Sequence, residues 1–142
     1  MATIFEPGVL YFPAGADYSA AAKLGSFMKM SGTTAVICTA AGEHSSGVLA
    51  NSPESGQPAE IHVGRVTKVR AGGALSVGAL IKTSADAEAA AIVGNTTGGG
   101  VADPLLGSNC MGIILEAATA DGDLVTAWIA PMGATVTNAN AT

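Results

Sequence analysis

Short runs of apolar, β-branched residues recur along the chain and are separated by glycine and serine. Two such runs, Thr33–Thr39 and Gly47–Ala50, each fit a single strand. Between Glu60 and Arg70 apolar and polar residues alternate until the phase slips at Gly64, which indicates a bulge or tight bend. Closely spaced short strands with turn residues between them predict an all-β protein, either a small antiparallel sandwich or a barrel.

The clearest local signal is a hairpin within Met111–Ala130. Two apolar runs there flank Asp121-Gly122, a dipeptide favoured where a turn needs positive φ.

A different pattern begins at Ser84, where a candidate N-cap precedes acidic residues and several alanines. This segment predicts one short helix.

The two ends of the chain differ from its middle. Residues 1–16 mix apolar side chains with Pro7 and Pro13 and predict an extended N-terminal arm, since proline cannot occupy a central strand. Residues 17–132 form the predicted β-rich core domain. The polar, repetitive residues 133–142 predict a flexible tail.

The charge distribution restricts the classes of partner. The net charge is −5, and every lysine and arginine precedes residue 83. Nucleic-acid binding needs clustered basic residues, so it is not expected; the one basic group, Arg65, Lys68 and Arg70, fits a solvated strand face.

The chain also has no 18-residue apolar span and no basic residue before Lys23, so we expect no membrane partner, no secretory leader and a cytosolic origin.

Only 12% of the residues are charged and 19 are glycine, so each side chain buries little area. Such a chain gains stability by packing against copies of itself, which makes oligomerisation a reasonable expectation.

Few residues suggest reaction chemistry. His44 lies beside serines in a loop, and His62 is expected on the solvated face of its strand. Cys38 and Cys110 are far apart and form no metal-ligand spacing. We therefore expect no enzyme activity, no metal and no cofactor.

The Met28-Lys29-Met30 triplet raises an alternative, because biotinyl and lipoyl carrier domains display a lysine between two methionines. Such domains place their second half-motif close behind the lysine. Here the Gly-Val rhythm resumes only at Gly64, so Lys29 cannot lie on the required hairpin tip.

A closer resemblance lies in two stretches, GRVTKVRAGGALSVGALIKTSADAEA and GIILEAATADGDLVTAWI, at residues 64–89 and 112–129. They resemble the capsid-cement, or head decoration, proteins of tailed bacteriophages. The resemblance implies a non-enzymatic protein that is made in the host cytoplasm and binds the outer surface of the assembled head. It implies the major capsid protein as partner, bridging of neighbouring capsomers and a homotrimeric state.

The predicted contact residues lie in the arm: Ile4, Phe5, Tyr11 and Phe12. We expect them to become ordered against the capsid or an adjacent subunit by adding a strand to a sheet edge. Two alternatives stay open. The arm could instead cover its own domain, or the protein could be a virion-surface adhesin or carbohydrate-binding module, against which the strand position of Trp128 argues.

Overall fold

A computed structural model describes residues 8–92 and 109–134 of the 142-residue chain. The described part is built from strands and one 3-10 turn, Ala21–Lys23. The strands are β1 (Val9–Pro13), β2 (Phe27–Ser31), β3 (Thr34–Ile37), β4 (Gly47–Leu49), β5 (Pro58–His62), β6 (Arg65–Gly72), β7 (Leu80–Thr83), β8 (Ala89–Ala91), β9 (Asn109–Ile114) and β10 (Asp121–Ala134). The all-β prediction is confirmed.

The first five strands form one antiparallel sheet in the order β1-β5-β4-β2-β3. This sheet curls, because a bridge between Ala14 and Ala35 brings its two edges together. We call it the curled sheet. Its core is small and consists of Ala14, Tyr18, Met28, Ala35, Leu49, Ala59 and Ile61.

The last five strands close into a barrel in the order β10-β6-β8-β7-β9. Its pairs are antiparallel except for one parallel contact, Ala71 with Ala89, between β6 and β8. The barrel core is larger than that of the curled sheet: Phe27, Cys38, Val48, Val69, Ala71, Leu75, Ile81, Ala87, Ala89, Met111, Ile114, Ala118, Val125, Ala127 and Ile129. The sandwich-or-barrel expectation thus resolves into a barrel with a sheet against it.

Strands β2 and β4 belong to both cores. Successive side chains of a strand point to opposite faces, and here both faces are covered. Phe27 and Val48 enter the barrel core, whereas Met28 and Leu49 enter the core of the curled sheet. All four side chains are fully buried, so β2 and β4 join the two units into one packed body.

The predicted bend at Gly64 is confirmed and marks the passage between the two units. Gly64 has φ of +65° and separates β5 of the curled sheet from β6 of the barrel. Its N–H donates to the carbonyl of Ile129, 2.7 Å away. A glycine takes this left-handed conformation at little cost.

The short helix predicted from Ser84 onward is wrong. The Ser84 hydroxyl accepts hydrogen bonds from the backbone N–H groups of Asp86 and Glu88, but they close a turn in which Ala87 has φ of +64°. The alanines that follow form β8, which pairs with β7. Pairing into the barrel has overridden the helix propensity of alanine.

The predicted hairpin is confirmed as the β9–β10 pair, in which Trp128 lies opposite Ile113. Asp121-Gly122 also forms the predicted turn: the Asp123 N–H donates to the Ala120 carbonyl at 3.3 Å across the dipeptide, and Gly122 has the positive φ. Asp121 pairs with Gly72 of β6, and Gly122, at φ +86°, lies in a bulge at the start of β10.

The ends of the chain are described in part. Residues 9–13 of the predicted arm are β1, an edge strand paired with β5 of the same chain, while residues 1–7 lie outside the described residues. β10 continues to Ala134, and residues 135–142 also lie outside. Across residues 8–92 and 109–134, no helix is long and apolar enough to cross a membrane.

Candidate interaction surfaces

The structure describes two of the four predicted contact residues, Tyr11 and Phe12, and places their side chains on opposite faces of β1. Ile4 and Phe5 lie outside the described residues. Tyr11 is 56% exposed on β1, whereas Phe12 turns inward and packs against the core of the curled sheet. Alternation along one strand separates the two aromatic rings, so of the two only the Tyr11 side chain is mostly exposed.

Lys29 lies within β2 opposite Val36, and not at a hairpin tip. Its ammonium group is 2.9 Å from Oε2 of Glu43 and donates to the Thr39 hydroxyl. Burial alone would raise the pKa of the Glu43 carboxyl, yet hydrogen bonds from Ala40, Lys29 and Thr39 lower it below its ordinary value. The lysine therefore stabilises the turn at residues 39–43.

The expectation that His62 is solvated is wrong. Its side chain is only 16% exposed, and its ring nitrogens lie 2.8 Å from the Thr67 hydroxyl and 2.9 Å from the Glu60 carboxylate. The contact with Thr67 connects β5 of the curled sheet to β6 of the barrel, and the contact with Glu60 lies within β5. They use both ring nitrogens for structure.

His44 and Ser45 do not form a catalytic pair in the described part of the chain. Ser45 is fully buried, and its hydroxyl donates to the Met28 carbonyl while it accepts from the Gly47 N–H. His44 is exposed. Within the described ranges, no group of three His, Cys, Asp or Glu side chains is arranged to hold a metal ion.

The two cysteines are free thiols and both are buried. Burial, followed by the nearby Glu43 charge, raises the pKa of Cys38 to about 12. A thiol that holds its proton so tightly is a poor nucleophile.

The predicted basic strand face is only partly solvated. The guanidinium of Arg70 donates to the backbone carbonyls of Leu24, Gly122 and Ala21 at 3.0, 2.8 and 2.7 Å. Arg70 thus fixes the 3-10 turn of the curled-sheet unit against the start of β10. The planar fork of an arginine suits such a cluster of acceptors.

The outer face of the barrel carries a continuous row of apolar side chains. Val66 lies opposite Trp128, Trp128 lies opposite Ile113, and Ile113 lies opposite Leu80, so that the row crosses β6, β10, β9 and β7. Val66, Trp128 and Leu80 are 48%, 41% and 42% exposed. We call these four residues the apolar row.

A polar group borders the apolar row on β6 and β10. Thr126 and Lys68 form the neighbouring cross-strand pair, and Oε2 of Glu116 accepts from Lys68 Nζ at 2.6 Å, from the Thr126 hydroxyl at 2.8 Å and from the Thr126 N–H at 2.9 Å. These hydrogen bonds, led by that from Lys68, lower the pKa of Glu116 to about 2. We call Lys68, Thr126 and Glu116 the polar trio.

The apolar row cannot be recognised in the sequence alone, because it exists only in the register between strands that are distant in sequence. One signal was present. Ala127 and Ile129 are small or aliphatic and point inward. Because successive side chains of a strand alternate between its two faces, Trp128 between them points outward. The strand position of Trp128 therefore does not argue against an exposed aromatic site.

A depression of about 270 Å³ lies where the two units meet. It is lined by Leu24, Leu49, Ala50, His62, Thr67 and Lys68. Its volume falls just below the ~300 Å³ at which ordinary small-molecule pockets begin.

No family model matches the chain. None of the curated proteins matches it either. Among solved structures, the chain is similar to the N base of the head fiber gp8.5 of bacteriophage phi29, with a TM-score of 0.57 and 18% sequence identity. The likeness covers 85% of this chain and 92% of that one. It shows that the two chains share a fold.

Proposed function

We propose that this chain is a structural protein of a tailed-phage virion, and specifically a head decoration protein that binds the outer surface of the assembled capsid and bridges capsomers. The observation that carries the proposal is the fold shared with the base of a phage head fiber over 85% of this chain. The motifs at residues 64–89 and 112–129 resemble capsid-cement proteins and support the same function independently.

A decoration protein needs no reactive centre, and the described side chains fit that requirement. His62, Ser45 and Lys29 are each committed to hydrogen bonds that stabilise the fold. We therefore propose a non-enzymatic role with the major capsid protein as partner and neither nucleic acid nor membrane as a target. The net charge of −5 disfavours phosphate-rich partners.

We propose a homotrimer as the working form. A symmetric oligomer that touches several capsomers at once converts weak single contacts into firm attachment through effective concentration. The attachment surface in this proposal is the β1 edge of the curled sheet, where Tyr11 is exposed, together with residues 1–7 that precede it.

The test is co-sedimentation of the purified protein with empty phage capsids, after its mass has been measured by analytical ultracentrifugation. We expect a trimer that pellets with capsids. A deletion should remove only residues 1–7, since a longer one would also remove strand β1 and unfold the curled sheet.

The deletion and Tyr11→Ser should each weaken capsid retention, whereas the control Val77→Ser, at a site 64% exposed in the barrel unit, should not. Full-length protein that stays in the supernatant at every capsid concentration would refute the decoration function. Retention that both variants leave unchanged would refute the attachment surface alone.

A further inference from the structure

We propose that Trp128 and the polar trio form a binding site for a neutral pyranose sugar on the outer face of the barrel. This site goes beyond the decoration function and does not depend on it. It rests on the position of one side chain and on the hydrogen-bonding groups that lie beside it.

Trp128 provides the aromatic surface on which the sugar ring stacks. It stands at the centre of the apolar row between Val66 and Ile113, and 41% of it is exposed. The C–H face of a pyranose ring is apolar and flat, so it can stack on an indole while its hydroxyls point sideways. Within the described residues the indole N–H donates no hydrogen bond, which leaves it available to a hydroxyl of the ligand.

The polar trio lies at the distance such a ring requires. Thr126 precedes Trp128 by two positions on β10, and its side chain points to the same face. Two residues of a strand span about 6.8 Å. A pyranose centred on the indole therefore places its hydroxyls over Thr126 and its cross-strand neighbour Lys68.

The trio is joined by three hydrogen bonds and still has bonding capacity. Every hydrogen bond that Glu116 accepts from the described residues falls on Oε2, which leaves Oε1 as an acceptor. Lys68 uses one of its three N–H donors on Glu116. A donor and an acceptor held side by side match two adjacent hydroxyls of a sugar.

Charge and size select the class of ligand. Lys68 and Glu116 cancel, so the site favours a neutral sugar over an acidic one. Each member of the apolar row is more than half covered by its own domain. The row is therefore small beside the ~800 Å² per partner that a stable protein interface buries, and a ligand of one or two rings suits it better.

An open site on the outer face of a barrel binds weakly, and we expect a dissociation constant on the order of 1 mM for the isolated chain, near the weak end of measured affinities. Many copies on one particle would raise the avidity by about 10²–10⁴-fold. That gain, unlike the site itself, rests on the proposed decoration function.

The experiment uses the full chain and the fluorescence of its only tryptophan, which reports directly on the site. Lactose, cellobiose and N,N′-diacetylchitobiose serve as probes, and sialic acid serves as the acidic comparison. We expect at least one neutral disaccharide to shift the Trp128 emission to shorter wavelength in a saturable way. Saturation-transfer NMR should show the strongest contact at the ring protons of that sugar.

Three variants locate the site. Trp128→Ala should abolish the NMR transfer, and Glu116→Gln, which keeps the fluorophore, should weaken binding about 5- to 10-fold through loss of the charged acceptor. Tyr11→Ala is the matched control, since it removes another exposed aromatic ring from the other unit and should leave binding unchanged. Circular dichroism of each variant verifies that it is folded.

Two results would overturn the proposal. One is the absence of any saturable shift or transfer with the three neutral disaccharides, whatever the response to sialic acid. The other is an emission shift that follows protein concentration without sugar and disappears in Val66→Ser, which would make the apolar row a contact between copies of this chain. Neither result bears on capsid co-sedimentation, so the two proposals fail separately.

Discussion

The curled sheet and the barrel each contain five strands, yet they are stabilised unequally. Among the described residues, the barrel core has 15 buried members and the core of the curled sheet has seven, and the other face of β2 and β4 belongs to the barrel. Burial of apolar area is the main stabilising contribution to a fold. The curled sheet therefore has the smaller core of its own, and through Phe27 and Val48 it also fills part of the barrel core.

The largest expected effect comes from Gly112→Ala, which would open the barrel. Gly112 faces β10, and an added Cβ would overlap the carbonyl oxygen of Trp128. Overpacking costs about 1–3 kcal/mol and occasionally more, and a backbone oxygen cannot rotate away as a flexible side chain can. We expect the free energy of unfolding to fall by about 3 kcal/mol or more, as measured by urea denaturation with Trp128 fluorescence as the probe.

Gly56→Ala is the control for this change. Gly56 also has positive φ, at +83°, but nothing lies within 4 Å of the added Cβ. Only the backbone strain of about 1–2 kcal/mol should remain. An equal loss in both variants would show that the close approach at Gly112 does not limit barrel closure.

The second prediction compares the two neighbours Phe27 and Met28, whose side chains enter different cores. Phe27→Ala should cost about 3–5 kcal/mol and Met28→Ala about 2–5 kcal/mol. The two variants should also differ in which strands become less stable. Hydrogen exchange should accelerate in β9 and β10 as well as in the curled sheet for Phe27→Ala, but mainly in β1 and β5 for Met28→Ala.

If both variants accelerated exchange uniformly over all strands, the two units would unfold as one, and the asymmetry between them would be absent. Conservative replacement provides the control, because Met28→Leu keeps the volume and should cost less than about 1.5 kcal/mol.

The smallest effect concerns Glu88, just before β8 in the barrel unit. Burial, and then the charges of Asp121 and Asp86, raise its pKa above the ordinary value. The folded state therefore holds this proton more tightly than the unfolded state, so the contribution of Glu88 is most favourable in acid and is lost as pH rises through the raised pKa.

Glu88→Gln removes this ionisation. We expect the variant to be more stable than the parent at neutral pH by a few tenths of a kcal/mol, because solvent screens a partly exposed group. The difference should vanish below the ordinary pKa of a glutamate. Thermal melts at several pH values measure it, and a difference that grows toward acid would have the wrong sign.

Features set by a few neighbouring residues were predictable from the sequence. The β9–β10 pair follows from two apolar runs in one stretch, and the bend at Gly64 follows from a phase slip at a glycine. The all-β class follows from the recurrence of such runs. In these cases local preference and the final fold agree.

Features that depend on distant pairing were not predictable. Ala89–Ala91 has the local preferences of a helix but becomes a strand because β7 lies beside it. Arg70 gave no sign that three backbone carbonyls from two other segments would surround its guanidinium. The apolar row likewise needs the register of four strands, which no single stretch contains.

The turn between β2 and β3 has a practical consequence. Gly32 lies at its tip with φ of +60°, and no atom lies within 4 Å of the position where its side chain would begin. A peptide epitope or fluorescent tag inserted there would point into solvent while both cores stay intact. This chain could then serve as a scaffold for displaying foreign sequences.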